Sequence, residues 1–366
     1  MTRTASHTRA ARTAVPAIAA SLLLLAGCAA SPAGGADPAD ARVDDLGTVI
    51  VATSGDDYTG GQLAYNVAVS EGYFADEGVT IEDFVTGNAP NTLQALINDQ
   101  VNIGFLSLST TAQAVEQGRN VKLAAAVQVT NDWSLIISNA YLESKGIDPE
   151  EFEERDIEDR ADVLEGTIWA TNSAGGLWER ASAYLADWFG LDPERDVQLA
   201  PLENLNKISG IKDGSVQVWL ASAPDNRLLV ESGDAVELLS NEELAEEVPL
   251  VANARSAETI INDDWASENE ELAKAFFRAY QRGADFVTTH SVDEIVTSLE
   301  KTFPDIQGER LLATVEVGKG NLPADSRHPV AALEAQIEFA LASGNITAKL
   351  PIDDVYTEAY LPPATK

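Results

Sequence analysis

Four short stretches of this chain combine hydroxyls, glycines, acids and aromatics as a non-covalent site for a small polar molecule requires. Ser54-Gly55-Asp56-Asp57-Tyr58-Thr59-Gly60-Gly61 has glycines whose backbone N–H groups can approach a ligand, beside two carboxylates and a phenol. Ser107-Leu108-Ser109-Thr110-Thr111 is a hydroxyl-rich turn that opens a helix. Asn172-Ser173-Ala174-Gly175-Gly176-Leu177-Trp178 reads as a glycine turn into a helix N-terminus, where N–H groups and the helix dipole favour an anion or polar head group. Ser222 and Asp225 end the fourth stretch, which begins at Trp219, and Trp133 is placed near it. Blander readings stand beside each of these. The first stretch also fits a plain strand–helix connector with solvated acids. The hydroxyls of the second fit helix caps, and each Trp fits a core position as well as a ligand platform.

None of these stretches contains Lys or Arg. An anion would therefore depend on N–H groups, hydroxyls and helix dipoles, and Asp56, Asp57 and Asp225 would repel it. Carboxylates beside Tyr58 and Trp133 better suit a flat, nitrogen-bearing solute such as an aminopyrimidine. Catalytic constellations are not evident. His7, His290 and His328 pair with no other His or Cys at metal-ligand spacing, so no metal and no cofactor is expected. GxSxG, GxxxxGK[ST] and GxGxxG after a strand are all missing, and acid pairs such as Glu150-Glu151 lie in charged, solvent-like runs.

The whole chain of 366 residues has 24 Lys and Arg against 59 Asp and Glu, a net charge of −35. That balance argues against nucleic acid and anionic lipid surfaces as partners. The sole cysteine, Cys28, follows Leu25-Ala26-Gly27, an apolar run from Val15 to Ala26, and a basic start with Arg3, Arg9 and Arg12. The run is shorter than the ~20 residues that span a bilayer, which makes it a processed signal. The pattern resembles the lipobox of bacterial lipoproteins, which implies cleavage before Cys28 and acylation there. Residues 1–27 are then the signal, and 28–45, rich in Ala, Pro, Gly and Asp, a flexible tether.

From Thr48 onward strand and helix patterns alternate. Strands are expected near 48–53, 79–85, 101–106, 133–138, 167–171, 197–199, 216–220, 235–239 and 257–262, with a mostly helical remainder. Such alternation predicts an α/β architecture with mainly parallel sheets flanked by helices. An internal repeat organises it. Residues 93–107 align with 208–222 at an offset of 115, and Ile50-Val51-Ala52-Thr53 matches Ile168-Trp169-Ala170-Thr171 at an offset of 118. Two similar halves with loops at their strand ends predict a cleft between them.

Residues 61–84, GQLAYNVAVSEGYFADEGVTIEDF, and the later NTLQALINDQVNIGFLSLSTTAQAVEQGRNVKLAAA carry a family resemblance. They resemble the solute-binding proteins of ABC importers, in the group that binds nitrate, sulfonates, taurine and thiamine-pyrimidine precursors. Asn102 stands where that pattern has Asp, and Asn98-Asp99-Gln100 where it has a Gly turn. The resemblance implies a type II-like two-lobe periplasmic-binding-protein clamshell with two hinge crossovers and a helical C-terminal part. Lobe I is expected over 46–131 and 255–366, and lobe II over 132–254. It further implies a monomer, lipid-anchored outside the cell membrane, that captures a small polar organic solute and works with a permease and its ATPase. Ser54, Gly55, Asp56, Asp57, Tyr58, Ser107, Ser109, Trp133, Ser173, Gly175, Trp178, Ser222 and Asp225 are the expected ligand contacts. A sensory or partner-binding lipoprotein on the same fold, and a pyrimidine-precursor enzyme, remain the alternatives.

Overall fold

Alternating burial along the first strand explains how its sheet is covered on both faces. In β1 (Gly47–Thr53), Val49 and Val51 enter one apolar core while Ile50 and Ala52 pack into another. The period-2 alternation of a strand sends successive side chains to opposite faces, so an unbroken β-branched run is buried on both. The computed structural model describes residues 44–53, 62–303 and 308–364. Residues Val43–Lys366 form one compact unit.

Among the described residues, ten strands make two five-stranded sheets: β1, β2 (Val79–Val85), β3 (Ile103–Leu106), β4 (Val121–Leu123), β5 (Trp133–Ser138), β6 (Ile168–Thr171), β7 (Gln198–Pro201), β8 (Val218–Ser222), β9 (Ala235–Leu239) and β10 (Glu258–Asn262). The spatial orders are β2-β1-β3-β10-β4 and β7-β6-β8-β5-β9. These are the same topology twice. β1 and β6 each pair in parallel with two neighbours, and β10 and β5 each pair antiparallel with two. The repeat at offset 115 thus superposes β3 on β8 at equivalent places in the two sheets.

Both sheets are mixed: in each, four strands run the same way, as the expectation of mainly parallel sheets required, and one runs against them. β5 and β10 are the first strands reached after each passage from one sheet to the other, and they run against their neighbours. A parallel neighbour would have required another crossover helix. The two passages run side by side at residues 124–132 and 253–257. Arg255 ties them together, donating to the Val129 carbonyl at 2.6 Å and to the Asn253 carbonyl at 3.1 Å. Asn131 Nδ2 reaches the carbonyls of Ala252, at 3.1 Å, and Ala254.

The helical C-terminal part covers the first sheet. Helix Glu270–Thr289 lays ten buried residues against it and against helix Leu63–Ser70. Their close approach needs Gly283, where an added Cβ would stand 2.1 Å from the Ala64 carbonyl oxygen. Helix Val330–Ala342 bridges the sheets, with Leu333 and Ile337 in a core of the first and Phe339 in the core of the second.

Candidate functional site

Six strands, three from each sheet, end at one cleft, because the parallel strands of both halves point their carboxyl ends towards it. The cavity measures about 340 Å³. That is within the range of small-molecule sites. On the first sheet, β3 ends at Ser107, which caps helix Leu108–Glu116 by accepting from the Thr110 N–H at 3.2 Å. Its hydroxyl also lies 3.0 Å from Ser109 Oγ and 2.9 Å from Thr110 Oγ1. β2 leads through Gly87 to Asn88, whose side chain caps helix Ala89–Ile97 on the Asn91 N–H at 2.9 Å. Gly87, Asn88 and Thr92 line the cavity with Ser107 and Thr110.

The second sheet supplies the aromatic and charged wall. Trp133 pairs with Ser222 across β5 and β8, so the register alone brings both to the cavity. Trp178, in the first turn of helix Leu177–Trp188, packs on Trp133 with ring centroids 4.6 Å apart. Gly176 is that helix's N-cap, and a Cβ there would stand 2.8 Å from Ser173 Oγ. The helix end is not left to a ligand alone: Glu179 in its first turn accepts from the Gly175 N–H at 2.6 Å. That carboxylate already answers the dipole an anion would use.

Of the expected contacts, Ser107, Trp133, Ser173, Trp178, Ser222 and Asp225 line the cavity together. Ser109 and Gly175 lie outside the lining. Ser109 is buried and spends its hydroxyl on the Ser107 cap, and Gly175 turns with φ 73° towards Glu179. Ser54, Gly55, Asp56, Asp57 and Tyr58 fall outside the described residues, as does Cys28. His328 is buried beside Glu258, and His290 stacks on Phe286 at 3.7 Å; neither lines the cavity.

Sequence reasoning passed over two loops, those after β2 and β7. β7 leads to Glu203, the N-cap of helix Asn204–Asp213, and this helix places Glu203, Asn204 and Lys207 on the cavity wall. Lys207 corrects the expectation of a site without a cation. The four stretches do lack one, but a fifth element brings a lysine that is 4 % exposed. Its ammonium donates to Asn172 Oδ1 and lies 5.3 Å from the Trp219 ring centroid. The repeat was the signal that could have found it, since β2 and β7 are equivalent outer parallel strands whose ends face the same way as β1 and β6.

Acids still outnumber it. Asp132, Glu203 and Asp225 line the cavity, with Asp132 paired to Arg227 and Asp225 Oδ2 accepting from Asn204 Nδ2 at 2.9 Å. The arrangement offers hydrogen bonds, opposite charges and flat apolar faces. The described lining residues include no His and no Cys.

Comparisons with known proteins agree with this architecture. A protein of Bordetella bronchiseptica RB50 has a similar structure, with a TM-score of 0.66 and 17 % identity, covering 86 % of this chain and 95 % of that one. The alkanesulfonate-binding protein SsuA from Xanthomonas axonopodis pv. citri, solved with MOPS bound, matches with a TM-score of 0.61 and 14 % identity over 84 % of this chain and 98 % of its own. These likenesses show the periplasmic-binding-protein fold. In sequence, YtlA of Bacillus subtilis (strain 168), provisionally named a binding protein, is 21 % identical over 252 residues, 68 % of this chain and 70 % of YtlA. The NMT1-like family pattern matches residues 62–299, which takes in every described strand except β1, and the chain belongs to that family.

Proposed function

We propose that this chain is the extracytoplasmic solute-binding component of an ABC importer, holding a small polar organic solute between its two lobes for delivery to a permease and its ATPase. One observation carries the reading: two sheets of identical topology aim the carboxyl ends of their parallel strands at a single polar cavity, joined by two adjacent passages. Ligand contacts from both sides of such a cleft favour the shut state of a hinge. Membership of the NMT1-like family and the fold shared with alkanesulfonate-binding SsuA support it. In this reading lobe I is 46–131 with 255–366 and lobe II is 132–254, and acylated Cys28 tethers a monomer to the outer face of the membrane.

Two solute chemistries have an observation behind them. The Trp133–Trp178 pair and the cavity acids favour a flat, nitrogen-bearing ring such as a pyrimidine precursor. Lys207 favours a sulfonate- or taurine-like organic anion. Melting the protein against nitrate, taurine, alkanesulfonates, aminopyrimidines and flavin-like heterocycles tests the proposal. A cognate solute at about 100 times its Kd adds ~2.7 kcal/mol to stability. The expected result is a raised Tm with at least one organic solute, reduced by Trp178→Ala. Absence of stabilisation across the panel, or stabilisation that survives Trp178→Ala and Asn172→Ala unchanged, contradicts it.

A further inference from the structure

On the solute-binding reading above, on which this inference rests, the two passages between the sheets are the hinge, and their hydrogen bonds show where it bends. Residues 124–127 of the first passage are held by the first sheet and its cover. Ala124 N–H donates to the Thr259 carbonyl at 2.8 Å, Ala126 N–H to the Ser326 carbonyl at 2.7 Å, and Val127 N–H to Glu258 Oε2 at 3.1 Å. Residues 131–133 are held by the second half, where Asn241 Nδ2 donates to the carbonyls of Asn131 at 3.1 Å and Trp133 at 3.0 Å. The bend is left to residues 128–130. Val129 and Thr130 are exposed, so hydrogen bonds rather than apolar burial set their conformation.

Two of the side chains that hold this bend also line the cavity. Asn321 ends helix Glu309–Asn321; its carbonyl accepts from the Val129 N–H at 2.8 Å and its Oδ1 from the Thr130 hydroxyl at 2.6 Å. Gln128 Nε2 donates to Asn131 Oδ1 at 2.9 Å, and Asn131 Nδ2 reaches the return passage at the Ala252 and Ala254 carbonyls. Arg255 closes the circuit from the return passage by donating to the Val129 carbonyl at 2.6 Å. Gln128 and Asn321 both belong to the cavity lining. A primary amide has a carbonyl acceptor and two N–H donors, and each of these residues uses one end on the passage. Asn321 Nδ2 and Gln128 Oε1 make no further hydrogen bond to a described residue. A solute acceptor at Asn321 Nδ2, or a solute donor at Gln128 Oε1, therefore orients a side chain whose other end sets the bend. A ligand shifts a conformational equilibrium only by contacts that differ between its states. These contacts differ, because the passage ends of both amides depend on how residues 128–130 are bent.

We propose that Gln128 and Asn321 are positioning residues that transmit solute binding to the hinge at residues 128–130, coupling occupancy of the cleft to closure through their amides.

Thr130→Val separates this role from plain solute contact, because Thr130 is exposed and stands outside the cavity lining. The probe is whichever of nitrate, taurine, ethanesulfonate and 4-aminopyrimidine raises Tm most. Isothermal titration reads its Kd. Pulsed electron resonance between spin labels on Val85→Cys and Leu205→Cys, in a Cys28→Ser background, reads closure at saturating probe. The otherwise unaltered chain should give one shortened distance. Thr130→Val, Asn321→Ala and Gln128→Met should each weaken the probe about three- to tenfold and keep an open population at saturation. Thr130→Val and Asn321→Ala remove the same side-chain bond, so the double variant should close no worse than Asn321→Ala alone. Full closure in Thr130→Val, or weaker binding by Asn321→Ala and Gln128→Met with closure intact, overturns the inference and leaves the solute-binding reading standing. Binding without any shortening in the unaltered chain overturns it too. No stabilisation by any probe, here or in the wider panel above, overturns the solute-binding reading as well.

Discussion

Replacing Glu258 by Gln should flatten the fall in stability above pH 6.5. Glu258 opens β10 beside the return passage and is fully buried. Its Oε2 accepts from the Val127 N–H at 3.1 Å, and His328 Nε2 stands 3.8 Å from the same oxygen. Arg255, Tyr280 and Gln336 are the other polar neighbours. Burial pushes the Glu258 carboxyl up to about 8 from an ordinary 4.5, against the opposing pull of the Val127 N–H and Arg255. Burial pushes the His328 imidazole down to about 4 from 6.5. Between pH 4.5 and 6.5 the folded chain holds a proton on Glu258 and the unfolded chain holds one on His328, so their slopes cancel. Between 6.5 and 8 only the folded carboxyl keeps its extra proton, and stability declines as pH rises at ~1.4 kcal/mol per pH unit, about 2 kcal/mol in all. Below 4.5 the carboxyl term levels off, and stability falls with pH as His328 is forced to take up its proton. Urea unfolding of wild type and Glu258→Gln at about pH 5, 6.5 and 8 reads this directly. The wild-type advantage should shrink, or its deficit grow, by ~2 kcal/mol from pH 6.5 to 8. Curves that stay parallel would refute a protonated Glu258 in the folded protein.

Three further outcomes follow from the packing and from the N-terminal motif. Gly283→Ala forces helix Glu270–Thr289 off the Ala64 carbonyl and should cost ~1–3 kcal/mol in chemical denaturation, despite alanine's better helix propensity. Arg255→Ala removes the side chain that ties Val129 to Asn253; ~2 kcal/mol or more should be lost, with faster amide exchange over residues 124–132. Cys28→Ser should release the protein from membranes and lower its mass by the acyl chains, each of which binds by ~0.8 kcal/mol per buried CH₂; unchanged fractionation would dismiss the anchor.

Patterns carried by the backbone were legible in the sequence. The β-branched runs, the offset-115 repeat and the resemblance, strong over residues 48–128, led to the two-lobe fold, and the repeat appears in the structure as one topology used twice. Strand polarity was not legible, because Trp133–Ser138 and Glu258–Asn262 have the same apolar composition whichever way they run; only the chain's return from the other sheet sets them antiparallel. At the cleft, local composition pointed to residues adjacent to strand ends, and Ser107, Ser173 and Ser222, which follow or end strands directly, line the cavity. Lys207 was missed because it lies a full turn inside a helix, where a lysine looks like an ordinary solvated residue. Its burial arises from Trp219 and Asn172, which are remote in sequence. Ser109, in the same loop as Ser107, instead turns its hydroxyl inward to the cap and stands outside the cavity lining.

The central claim is that the two lobes close on a solute held between them. Val85, 65 % exposed at the end of β2, and Leu205, 80 % exposed at the start of helix Asn204–Asp213, stand at corresponding ends of the two sheets beside the cleft. Spin labels on cysteines placed at 85 and 205 in a Cys28→Ser background give the distance between them by pulsed electron resonance. The account predicts that the solute found by the melting panel shortens this distance, and that Trp178→Ala and Lys207→Met shift the same change to higher solute concentration. A bound solute that leaves the distance unchanged, or a change indifferent to both cleft substitutions, would contradict it.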